Sequence, residues 1–258
     1  MSTTMHLPTA GSTAERSRCT AARISRALTC LLMLGATTVR AGEPAGWLLA
    51  VDFENQPPGQ PIGTGGAALG QPDQVSALVD AIVRDVPMAS RSLEITWDAA
   101  PSTASGVRFG LLGGVEARAN LLSITLDLHA HVASRYYVFI REATTAARSF
   151  GGLHLTQDGV LALLDASGSQ LVAHDLGFGQ TRRLRWDYDL DARTYDFSLD
   201  GERLVEGRPH GVPDNGRGIG SVRVELDWNT PADTALSIDN LRVFASTDAL
   251  FAHGFDGP

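Results

Sequence analysis

From Trp47 to Val243 apolar and polar side chains alternate with a period of two, which predicts strands rather than helices. In 47–54, Trp47, Leu49, Val51 and Phe53 share one face, while Asp52 and Glu54 point the other way. In 184–190, Leu184, Trp186, Tyr188 and Leu190 alternate with Arg185, Asp187 and Asp189. The stretch 194–200 sets Tyr195, Phe197 and Leu199 against Asp196 and Ser198. In 222–229, Val222, Val224, Leu226 and Trp228 stand against Arg223, Glu225, Asp227 and Asn229. One apolar and one polar face per strand is how antiparallel sheets read when they bury a single side. Asp158-Gly159 and Asp200-Gly201 suit tight hairpin turns that need positive φ, and Ser167-Gly168 and Asp191-Ala192-Arg193 separate further runs. The segment 75–86 is the one that admits a helix, but Val75, Ala77, Val79 and Val83 are compatible with pairing and predict strand. About a dozen strands with no linker predict one all-β, antiparallel sandwich of jelly-roll type over 42–246.

The segment before it reads differently. Arg16, Arg18, Arg23 and Arg26 precede an apolar run, 27–36, too short to span a bilayer, and Val39-Arg40-Ala41 then offers small residues for cleavage. Residues 1–41 are therefore expected to be a secretory signal peptide, 42–246 the exported body and 247–258 a C-terminal tail. Both cysteines, Cys19 and Cys30, fall in the signal, so the body has no thiol for a disulfide, a thiolate metal site or a nucleophile.

The 258-residue chain has a formal charge of −8. Five arginines and one glutamate belong to residues 1–41; removing them from 21 basic and 29 acidic residues leaves 16 and 28, a charge of −12. An acidic body disfavours nucleic acid, because the phosphate contribution is repulsive. There is no lysine, which excludes Schiff-base chemistry and a phosphate-loop lysine.

Along 123–132, Ile124, Leu126 and Leu128 face one way, and Thr125, Asp127, His129 and His131 the other. The polar group repeats at about 7 Å along one strand face. Asp127, His129 and His131 suit a divalent metal or a sugar. The next strand adds Arg135, Tyr136, Tyr137 and Arg141, and His154 follows on another. A face with Arg, His and Tyr fits a glycan, or a lyase using His and Tyr as base and acid. An exposed face without a ligand is the alternative. The candidate ligand residues are Asp127, His129, His131, Tyr137 and Arg141.

The run from Gly152-Leu153-His154 through Asp200-Gly201-Glu202-Arg203 resembles the second half of concanavalin-A-like and laminin-G-like domains. The closing Ile238-Asp239-Asn240-Leu241-Arg242-Val243 resembles the last strand, and Val51-Asp52-Phe53-Glu54 with Pro58-Gly59 the first strand, of secreted bacterial β-sandwiches. The resemblance implies fold more than function, since such domains include lectins, hydrolases, lyases and structural modules. Glucanases of this kind carry Glu-x-Asp-x-x-Glu on one strand; here Glu225-Leu226-Asp227-Trp228-Asn229-Thr230 has Thr230 in place of the last acid and reads as a solvated strand face. No Gly-x-Ser-x-Gly or His-Glu-x-x-His motif is present. Leu236 and Ile238 have one parity and Leu241 and Val243 the other, which predicts a bulge at Asp239-Asn240. The resemblance further implies a structural calcium between the first and last strands, with Glu54 and Asp239 as ligands. The expectation is a secreted, non-catalytic sandwich that binds a polysaccharide, glycan or other surface polymer, with no membrane span. A polysaccharide lyase or glycoside hydrolase, and a structural or adhesive module, stay open beside it.

Overall fold

In the computed structural model of the chain, the described residues are 46–246 except 99–101, 119–120, 144–148, 166–167 and 212–217. The expected signal peptide and C-terminal tail, and Ser167 of the Ser167-Gly168 turn, lie outside the described residues.

Among the described residues fifteen strands form: β1 (Trp47–Val51), β2 (Gln74–Val75), β3 (Val79–Arg84), β4 (Ser92–Trp97), β5 (Ser105–Gly110), β6 (Leu121–Ala130), β7 (Tyr136–Arg141), β8 (Ser149–Leu155), β9 (Val160–Asp165), β10 (Gly168–Asp175), β11 (Thr181–Asp189), β12 (Thr194–Leu199), β13 (Glu202–Pro209), β14 (Ser221–Leu226) and β15 (Ala235–Ser246). They build two antiparallel sheets. The eight-stranded sheet has the order β13-β12-β11-β6-β15-β4-β3, with β1 also on β15; the seven-stranded sheet has the order β10-β9-β8-β7-β14-β5-β2. The all-β sandwich expected from the alternation is what the chain forms, consistent with a jelly roll. Most of the segment 75–86 is strand and none of it helix: Val75 ends β2 and Val79–Arg84 form β3, with a turn at Ala77 and Leu78 between them.

The alternation works as a sorting device. Leu122, Ile124, Leu126 and Leu128 of β6 face inward against Tyr136, Val138 and Ile140 of β7, and all are buried in one core. Trp186 packs on Phe197 at a ring distance of 5.2 Å. Phe53 and Phe109, 6.3 Å apart, join the two sheets. Trp186 is fully enclosed, and truncating such a residue to alanine costs about 3–5 kcal/mol. Asp200 and Gly201, at φ 51° and 87°, make the β12–β13 hairpin that their sequence predicts.

β15 bends where the parity switch predicts. Asn240 adopts φ 49°, and the register against β6 slips between Asp239 and Arg242. Before the bulge, residues 235–238 pair with β4; after it, 241–244 pair with β1. One long strand thus serves two edges in succession.

Two outer faces as candidate functional site

The expected site is divided between the two faces of the sandwich. Asp127, His129 and His131 come together on the outer face of the eight-stranded sheet. Tyr137 and Arg141 belong to β7 of the other sheet, so they face away on the opposite outer surface. The chain changes sheets between β6 and β7, and that crossing separates the two groups.

On the first face the polar groups are engaged with one another. Asp127 is 9% exposed and His129 8%. Arg183 donates to both Asp127 oxygens, at 2.7 and 2.8 Å, and Asn240 Nδ2 donates to one of them at 2.9 Å. His129 Nδ1 lies 3.2 Å from Thr181 Oγ1, His131 Nε2 lies 2.8 Å from Ser237 Oγ, and the two rings meet edge-on at 4.9 Å. Burial lowers the pKa of both histidines. The expected open ligand face is therefore a hydrogen-bonded network, because cross-strand partners on β11 and β15 cover it.

The bulge places Asp239 beside this network. Ser90 Oγ and Asn240 Nδ2 donate to its Oδ2, and Asn240 N donates to its Oδ1 at 2.7 Å. Burial raises its pKa from 3.8 to about 6; the Ser90 and Asn240 donors oppose the rise, and the charges of Asp127 and Glu54 add to it. Glu54 is exposed and accepts the Arg91 N–H at 3.0 Å. Among the described residues no group of three or more His, Cys, Asp or Glu side chains is disposed to hold a metal ion. Both oxygens of Asp239, and Oε1 of Glu54, already accept from N–H and O–H donors that a calcium ion would have to displace. In this arrangement they do not fit the ion.

The outer face of the seven-stranded sheet is organised differently. Register sets His154 of β8, Tyr137 of β7, Glu225 of β14 and Gly106 of β5 in one row. The next row holds Gly152, Phe139, Arg223 and Arg108. Tyr137 stacks on His154 at 4.5 Å and on Phe139 at 5.2 Å, and the Arg141 guanidinium lies over the Phe139 ring at 4.1 Å. Three planar groups thus follow one another along β7, and His154 flanks the first of them from β8. Beside them Tyr137 Oη donates to Asp227 at 3.2 Å, Arg135 approaches Asp227 at 3.7 Å, and Arg223 contacts Glu225. Burial, then the Asp227 charge, raises the Tyr137 pKa; burial lowers that of His154.

Glu225 and Asp227, expected to be solvated, are 4% and 5% exposed. Arginines and Tyr137 from their own and adjacent strands enclose them. Phe139, Arg108 and Arg223 were not singled out in the sequence; the alternation Arg223-x-Glu225-x-Asp227 was the available signal. Trp228, expected on the apolar face, lies past the end of β14 and is 55% exposed. No helix among the described residues is long and apolar enough to cross a membrane.

No family model and no curated protein matches the chain. Among solved structures it is similar to a sialidase, with TM-score 0.56 and 15% identity over 78% of this chain and 18% of that one. It is also similar to a carbohydrate esterase from the Shiga toxin-encoding bacteriophage phi24B, with TM-score 0.52 and 10% identity over 78% and 99%. A third is the binding domain of Paraclostridial Mosquitocidal Protein 1, with TM-score 0.50 and 8% identity over 78% and 49%. At these identities the likeness is one of fold. The chain spans less than a fifth of the sialidase.

Proposed function

We propose that the protein is an exported, non-catalytic sandwich of the concanavalin-A-like, laminin-G-like kind, binding a carbohydrate on the outer face of its seven-stranded sheet. The observation that carries this is the cluster His154–Tyr137–Phe139–Arg141 of stacked planar groups with Glu225, Asp227 and Arg223 alongside. A sugar offers C–H patches and hydroxyls in alternation, and rings flanked by fixed donors and acceptors match both. The fold neighbours named as a sialidase and a carbohydrate esterase add support. The acidic body argues against nucleic acid, and the signal-like segment 1–41 supports export, with cleavage after Ala41. A polysaccharide panel tests the binding: Tyr137→Ala should abolish retention while leaving the melting temperature within a few degrees. Retention by this variant equal to wild type would refute the assignment of the face.

A second reading rests on the same stack. Burial holds His154 neutral and Tyr137 protonated, the states a lyase needs in a base and an acid. Unsaturated products from the panel would favour it over simple binding.

A further inference from the structure

The arginines on this face are unevenly matched. Arg108 and Arg223 stand directly opposite each other on β5 and β14, and like charges so placed repel. Each has its own carboxylate: Asp73 holds Arg108 through two hydrogen bonds of 3.1 and 2.8 Å, and Glu225 takes Arg223. Arg141 adds a third guanidinium; burial lowers its pKa, the Glu225 charge favours its ionised form and the Arg223 charge opposes it. Among the described residues no carboxylate is hydrogen-bonded to Arg141. Its Nε is buried with no hydrogen-bond acceptor, and its guanidinium lies over the Phe139 ring. Elsewhere Arg84, Arg183, Arg185 and Arg208 meet carboxylates at 2.6–3.0 Å.

The neighbours of Arg141 are small. Ser149 faces it on β8 and Ser221 on β14, and Gly110 follows Ser221 on β5. Both serine hydroxyls donate to backbone carbonyls, Ser149 to Gly151 and Ser221 to Glu142. The Asp73 carboxylate stands over Gly110, and the Arg141 guanidinium keeps its charge at any working pH. A charged guanidinium over a ring, with no hydrogen-bonded carboxylate, suits a carboxylate or sulfate oxygen pair.

We propose that the bound carbohydrate is anionic, with the acidic group of one sugar seated against Arg141 between Ser149 and Ser221. This rests on the glycan reading of the face above. Arg141 is then the residue that selects charged over neutral polymers.

The test uses the mature protein in affinity electrophoresis and calorimetry with polygalacturonate, a sulfated galactan, and neutral galactan and glucan. Binding to a charged polymer, weakening with added salt, is expected. The carboxylated and sulfated arms show which acid is preferred. Arg141→Gln should weaken binding at least tenfold, and Arg141→Lys less, because it keeps the charge but loses the fork. If Arg141→Gln unfolds, Arg141→Lys carries the comparison. Equal binding of neutral polymers, or a charged polymer bound equally by a folded Arg141 variant, would overturn the charge assignment. The glycan reading would survive if Tyr137→Ala still abolished binding. Failure of every polymer to bind would overturn both.

Discussion

The two outer faces make opposite predictions for the double change His129→Ala and His131→Ala. If these histidines bound a ligand on an open strand, removing them would cost almost no stability and all of the binding. Their surroundings argue the reverse. The change removes the His129–Thr181 and His131–Ser237 contacts, at 3.2 and 2.8 Å, and an edge-on ring pair at 4.9 Å. Two hydrogen bonds are worth about 1 kcal/mol each, and the ring contact about 0.5–1 kcal/mol. The buried Ser237 hydroxyl also loses its acceptor or donor. The expected loss is about 2–3 kcal/mol at pH 8, read by urea denaturation, with carbohydrate binding unchanged. The pH dependence follows from burial, which holds both histidines below the ordinary value of 6.5. A depressed folded pKa gives stability that is present above 6.5 and lost as pH falls through the folded values. The wild type should therefore lose more stability on acidification than the double variant, and the two curves should converge. A double variant with wild-type stability and no binding would refute this reasoning and return the site to the first face.

Gly152→Ala should destabilise by about 3 kcal/mol or more, measured by thermal unfolding, because the residue has φ 135° and a Cβ would stand 2.0 Å from the Val138 carbonyl oxygen. A melting point equal to wild type would mean that β7 and β8 separate easily. Asp165→Ala should cost about 1.5–3 kcal/mol in urea, since Asp165 accepts from Arg208 at 2.6 Å, joining β9 of one sheet to β13 of the other in a half-buried charged hydrogen bond. Prolonged chelation should leave the melting temperature unchanged; a fall reversed by calcium would show that Glu54 and Asp239 rearrange around the ion. Intact mass of exported protein should correspond to a chain starting at Gly42, and a product retaining 1–41 would contradict the cleavage site.

Much of this fold is legible in the alternation because each strand has a single buried side. Trp186 and Tyr188 must face inward and Arg185 and Asp187 outward whatever the topology, and they do. The bulge at Asp239-Asn240 is legible for the same reason, as a change of parity. Alternation separates inside from outside, yet it is silent on which sheet a strand joins. His131 and Tyr137 are six positions apart and both polar-facing, but the turn between them carries the chain across the core. The enclosure of Glu225 and Asp227 was hidden for a related reason. Tyr137 on the neighbouring β7 and Arg135 just before it, which help enclose them, come about ninety positions earlier, a proximity that only pairing reveals.

The place of β15 in the fold has a kinetic consequence. Leu236 pairs with Ala130 and Ser246 with Leu121, across about a hundred residues of intervening chain. The same strand supplies the edge for β4 and then for β1. Until it is in place, β1 has no partner within the eight-stranded sheet and β4 is separated from β6. Contacts of such high order close slowly, because loop entropy is lost before the pairing energy is gained. A chain emerging from its N-terminal end would stay incompletely zipped until its closing strand appeared.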